Sequence, residues 1–107
     1  MRGMGNMGNM QGMMQKLQKM QKEMTKEQAA IEAEIFSASD VNHLVTAKVN
    51  GKKELVALDL ASELVDPEDV DMLQDLVIAT VNDALKQVDE ATENRLGKYT
   101  KGMNLPF

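Results

Sequence analysis

Four lysines, Lys16, Lys19, Lys22 and Lys26, recur at intervals of three and four residues, and Glu23 is the one acid among them. That spacing places side chains on one helix face, so the group forms a ridge of positive charge. An ammonium is a compact point charge suited to phosphate oxygens. No aromatic residue is interleaved to stack a base, so the chemistry on offer is salt-sensitive contact with a phosphate backbone, weakly selective for sequence. A charged helix face is by default a solvated one. Segregation of charge raises this ridge above the default. The 107-residue chain carries a net charge of −5, yet residues 1–30 are net +3, residues 31–66 net −4 and residues 67–93 net −7. The final stretch, with Arg95, Lys98 and Lys101 and no acid, is again +3. An acidic average conceals two basic ends.

Opposite the ridge runs a second stripe. Met10, Met13, Met14, Leu17, Met20, Met24 and Ile31 share one helix face, roughly 145° from the lysines. Thioethers are soft ligands that select Cu(I), but unbranched, polarizable side chains also make an adaptable packing seam. The seam is the preferred reading, with Met13, Leu17, Met20 and Met24 at its centre and no metal expected. Catalysis is poorly provided for. His43 is the one histidine and has no cysteine to activate. Asp69, Asp71 and Asp75 are acids on a helix face with no apolar pocket to raise a pKa. Neither a phosphate-binding loop nor a Ca²⁺ loop occurs. The expectation is therefore a protein that is not an enzyme, takes no cofactor and has no small-molecule substrate.

The elements that must position these residues follow from periodicity. The length suits one domain, but with three aromatic residues in all its core is thin, and a partner surface is expected. Absence of cysteine excludes a disulfide frame or a thiolate metal site and fits a reducing cytosol. The N-terminal lead lacks the apolar run of a secretory signal, and no stretch is long and apolar enough for a membrane span. Glycines at 3, 5, 8 and 12 predict a mobile lead over residues 1–8, with an amphipathic helix starting near Asn9. Strands are predicted at Glu34 to Ser39, His43 to Val49 and Lys53 to Leu60. Asn50-Gly51 is the dipeptide a type I′ hairpin turn wants. Asp66 as N-cap and Pro67 in the first helical position open a second helix that runs to about Leu96, where Gly97 is a natural stop. The result is a single α+β domain over residues 9–97, ordered α-β-β-β-α, with a loose tail over 98–107.

Several of these segments together carry a resemblance. Gly8-Asn9-Met10 leads into Met13-Met14-Gln15-Lys16-Leu17-Gln18-Lys19-Met20-Gln21, followed by the Val49-Asn50-Gly51 turn. Asp71-Met72-Leu73-Gln74-Asp75-Leu76-Val77, Val81-Asn82-Asp83-Ala84 and Gly102-Met103-Asn104-Leu105-Pro106 complete the pattern before Phe107. Over residues 8–107 the chain resembles the YbaB/EbfC family of small bacterial nucleoid-associated proteins. The resemblance implies a homodimer in which three-stranded antiparallel sheets and helices of two subunits join, with long helices projecting as arms. It implies DNA binding in the cytoplasm and nucleoid, with a role in nucleoid organisation and gene regulation. Lys16, Lys19, Lys22 and Lys26 are then the expected DNA contacts, with Arg95, Lys98 and Lys101 as second choice. The strongly acidic second helix argues against DNA contact along its length. The alternative is a protein–protein adaptor that grips its partner through the Met-rich helix, its lysines only solvating.

Overall fold

A computed structural model describes the backbone of residues 2–103 and the side chains of residues 10–99. Helix α1 (Arg2–Ala33) is followed by strands β1 (Ile35–Ser39), β2 (Val45–Asn50) and β3 (Leu55–Leu60), a 3-10 turn at Ser62–Leu64, and helix α2 (Val70–Met103). This is the α-β-β-β-α order expected from the sequence. The strands form one antiparallel sheet in the order β1-β2-β3. Its central strand alternates as predicted: Val45, Ala47 and Val49 are fully buried, whereas Lys48 on the other face is exposed. Ala47 and Val49 pack with Ile31 of α1, Phe36 of β1, and Ala84 and Val88 of α2. Small residues in α2 let the helix lie close on the sheet, and Gln87 donates from its Nε2 to the Ser37 carbonyl at 3.0 Å.

The two long helices run antiparallel, because Ile31 shares the core with Val88 while Glu27 meets Arg95 one turn or two further along. At 1.5 Å per residue α1 is about 48 Å long, and the molecule measures 82 × 21 × 17 Å. The end of α1 nearer its N-terminus leaves the body. Met20 and Met24 are half-buried, but Met10, Met13, Met14 and Leu17 are all exposed.

Several local expectations are corrected. α1 begins at Arg2, not near Asn9, and so includes the glycines of the predicted lead. Each glycine costs about 1 kcal/mol in a helix, but extending a helix already nucleated downstream is far cheaper than starting one. Likewise α2 continues through Gly97 to Met103. A glycine ends a helix by turning left-handed, and no glycine among the described residues has a positive φ. Of the predicted tail, residues 98–103 are thus helical and residues 104–107 lie outside the described residues. α2 starts a turn later than predicted. Asp66 and Pro67 form a β-turn in which Asp66 Oδ1 accepts from the Glu68 N–H at 3.0 Å, and the cap is Asp69, whose Oδ1 accepts from the Met72 N–H at 3.4 Å.

The predicted hairpin at Asn50-Gly51 is present with a different turn. The left-handed residue is Lys53, with φ 64°, and Gly51 has no positive φ. Asn50 organises a three-residue loop: its carbonyl accepts from the Lys53 N–H at 3.0 Å, and its side-chain Oδ1 accepts from Lys52 and Glu54 N–H groups. The β1–β2 connection repeats the device, with Asp40 in place of Asn50 and His43, φ 58°, in place of Lys53. An Asx residue followed three positions later by a left-handed residue is the common feature. Gly51 serves another purpose. A Cβ there would stand 1.9 Å from the Ile31 carbonyl oxygen, so the hairpin lies directly against the last turn of α1.

Candidate nucleic-acid interface

α1 runs along α2 from Ile31 back to about Met20 and leaves the body beyond it, so Lys22 and Lys26 ride on the packed part of the helix and Lys16 and Lys19 on the end that projects. Lys16, Lys19, Lys22 and Lys26 are all exposed. Among the described residues none of the four makes an ion pair. Their charge is therefore not consumed by the acids among the described residues. Lys22 and Lys26 line an open groove of about 590 Å³ together with Gln18, Gln21, Thr25 and Ala29. The amide and hydroxyl groups there add hydrogen-bonding capacity beside the cations, a combination suited to sugar and phosphate oxygens. Charge patterning does not single out the two glutamines, although their place in the Gln-Lys alternation puts them on the same flank.

The second-choice cations divide. Arg95 does not face solvent with the ridge. Its Nε donates to Glu27 Oε1 at 2.5 Å and its Nη1 to Glu34 Oε1 at 2.9 Å, with about a third of its side chain exposed. The Glu27 carboxylate, and after it Glu34, raise the guanidinium pKa above its ordinary value. Lys98 is exposed, its Nζ 5.1 Å from the centroid of the Tyr99 ring. Lys101 lies on the last turns of α2, and its side chain is outside the described residues.

Other sequence candidates are dispersed. Met13 and Leu17 of the seam are exposed, whereas Met20 and Met24 are half-buried where α1 begins to run along the body. His43 is exposed at the β1–β2 turn, where its N–H donates to the Asp40 carbonyl at 3.0 Å. Asp69, Asp71 and Asp75 lie exposed around the start of α2. Asp40 holds the β1–β2 loop together, and its carboxyl lies below the ordinary aspartate range, first because the Val45 N–H donates to Oδ1 at 2.7 Å and also because of the Asn42 N–H. Among the described residues no helix is long and apolar enough to cross a membrane.

A second surface is apolar. Leu58 and Leu60 pair with Ala47 and Val45 and so lie on the helix side of the sheet, yet both are more than a third exposed because α2 covers β1 and β2 instead. Leu60 lines a groove of about 410 Å³ with Leu73, Gln74, Val77 and Ile78 of α2. β3 is also an edge strand, with Leu55 and Val56 exposed.

The family model of the YbaB/EbfC DNA-binding family matches residues 7–103. A nucleoid-associated protein of Enterococcus faecalis is 56% identical over 103 residues, covering 96% of either chain. Nucleoid-associated protein BLi00029/BL02358 of Bacillus licheniformis is 62% identical over 63 residues, and that match spans 59% of either chain. Among solved structures, the uncharacterized protein HP0035 from Helicobacter pylori superposes with a TM-score of 0.62 at 28% identity, covering 73% of this chain and 82% of that one.

Proposed function

The chain belongs to the YbaB/EbfC DNA-binding family, and from that premise we propose that it is a homodimeric nucleoid-associated protein that holds the DNA phosphate backbone with α1 as its arm. The observation that carries the reading is the set of four exposed lysines, without ion-pair partners among the described residues, on one face of α1 in a chain whose net charge is −5. The acidic remainder of the surface repels DNA, so contact is restricted to the arms. Lys98 and Lys101 at the far end of α2 join the contact set as lesser members, and Arg95 leaves it. The place of action is the cytoplasm and nucleoid, and the consequence of binding is nucleoid organisation and an influence on gene expression. The family is one of DNA binding rather than catalysis.

The dimer has a surface suited to it. A second copy laid across β3 and the first half of α2 would cover Leu58, Leu60, Val77 and Ile78, and would give the free edge of β3 a partner. Such an interface is self-complementary, as a two-fold axis requires. It also leaves both α1 arms projecting outward.

The test is a salt series of DNA binding combined with sedimentation. Wild type is expected to lose affinity steeply with salt, by about 0.9 in log–log slope for each phosphate neutralised. Replacing Lys16, Lys19, Lys22 and Lys26 by glutamine should abolish binding and leave the dimer intact. Unchanged affinity in that variant would refute the arm reading. An adaptor gripping a protein through the methionine seam would be nearly indifferent to salt, so the same series separates the two.

A further inference from the structure

We propose that Arg95 is a positioning residue that locks the lysine arm to the body of the protein, and that it does not touch DNA; the proposal rests on the reading of α1 as the DNA-contacting arm. The guanidinium spans two carboxylates with different structural positions. Glu27 lies within α1 and Glu34 is the single residue between α1 and β1. One planar fork therefore ties the helix to the point where the chain enters the sheet, and both to α2. A lysine in its place would offer a single nitrogen where the guanidinium meets each carboxylate with a separate one. On another side of the same helix end stands the hairpin at Gly51, in contact with Ile31 and Glu32. The arm is thus gripped at its root by backbone on one side and by an ion-pair fork on the other.

The lever beyond the fork makes small rotations matter. Lys16 is eleven residues from Glu27, about 16 Å along the helix, and a tilt of about 10° at the fork would carry it roughly 3 Å, a full hydrogen-bond length. The ridge would then fall out of register with phosphates that it meets when locked. A second effect is electrostatic. By helical position Glu27 sits on the flank between seam and ridge, where a free carboxylate would weaken the field of the lysines. Arg95 neutralises it with a charge supplied from α2. The arm keeps its positive face although its sequence includes that acid, and the arginine holds its charge at every physiological pH.

Two variants with opposite changes of charge test this. Arg95→Met removes a cation, and Glu27→Met removes an anion while leaving Arg95 paired with Glu34. Because the chain has no cysteine, spin labels placed at Gln18→Cys and Asn82→Cys, diluted with unlabelled protein, report the distance between arm and body without DNA. Both methionine variants should broaden that distribution. Both should weaken DNA binding by about two- to fivefold, the scale of a partly exposed ion pair, with an unchanged salt slope. If Arg95 instead contacted a phosphate, Arg95→Met would lower the salt slope by about 0.9 and Glu27→Met would tighten binding. That pair of results, or an unchanged distance distribution in Glu27→Met, would overturn the proposal. Should Arg95→Met fail to fold, Glu27→Met decides alone. Failure of the arm reading is separately visible, since it would appear as intact DNA binding after loss of the four lysines while the label distances still report the lock.

Discussion

Replacing Gly51 by alanine puts a methyl group where backbone already stands. The added Cβ meets the Ile31 oxygen at 1.9 Å, the Ile31 carbonyl carbon at 2.4 Å and Glu32 Cα at 2.7 Å. Real Cβ contacts stay beyond 3.0 Å, so the hairpin and the end of α1 must separate by at least about 1.1 Å. No rotamer change relieves the overlap, because all three atoms are main chain. The separation would loosen Ile31 and Val49, both buried beside Val88. Overpacking of this kind costs about 1–3 kcal/mol, and a domain of this size loses about 4–8 °C in Tm per kcal/mol. A fall of about 5–20 °C is therefore expected in a thermal melt followed by circular dichroism. Gly12→Ala is the matched control. A Cβ there has nothing within 4 Å, and on a helix the substitution should stabilise by up to about 1 kcal/mol. A Gly51→Ala melt within about 2 °C of wild type, or a shift of Tm in the same direction for both substitutions, would refute the close approach of hairpin and helix.

Asp40, whose carboxyl is held low by the Val45 N–H above all, contributes stability that is present above the aspartate pKa of the unfolded chain, about 3.9. That contribution is lost as pH falls through the lower folded value. The Tm difference between wild type and Asp40→Asn should accordingly be constant above about pH 5 and shrink in more acid solution; a difference that grows on acidification would contradict it. His43 sits at φ 58°, where a side chain is strained and glycine is not, so His43→Gly should raise the urea midpoint, by up to about 1 kcal/mol in stability. A lowered midpoint would show that the turn is not strained. The lysine and Arg95 variants described above complete the set.

Much of the architecture was legible from patterns that act over a few residues. The alternation of Val45, Ala47 and Val49 and the helical spacing of Val77, Val81, Ala84 and Val88 each report one buried face, and burial of that face needs no knowledge of what covers it. The errors are also local in origin. Glycine-rich stretches at the start of α1 and at Gly97 predicted helix ends, because propensity is summed over neighbours and takes no account of a helix already formed beside them. Asn50-Gly51 satisfied the rule for one turn, while the chain used another in which Gly51 is demanded by the approach of α1.

For the candidate site the division is similar. The lysine ridge and the methionine seam could be read from periodicity alone, since residues three and four apart on one helix share a face whatever the rest of the fold does. The separation of basic ends from an acidic middle was equally a property of the chain. Which cations remain available was not. Arg95 stands beside Lys98 in a basic stretch and has the same formal charge, yet its partners, Glu27 and Glu34, lie 68 and 61 residues away. Nor does periodicity reveal that α2 leaves Leu58 and Leu60 uncovered. Helix faces and strand faces arise from the backbone's own repeat, so sequence determines them. The pairing of charges and the covering of faces depend on which distant segments meet, and only the tertiary structure decides that.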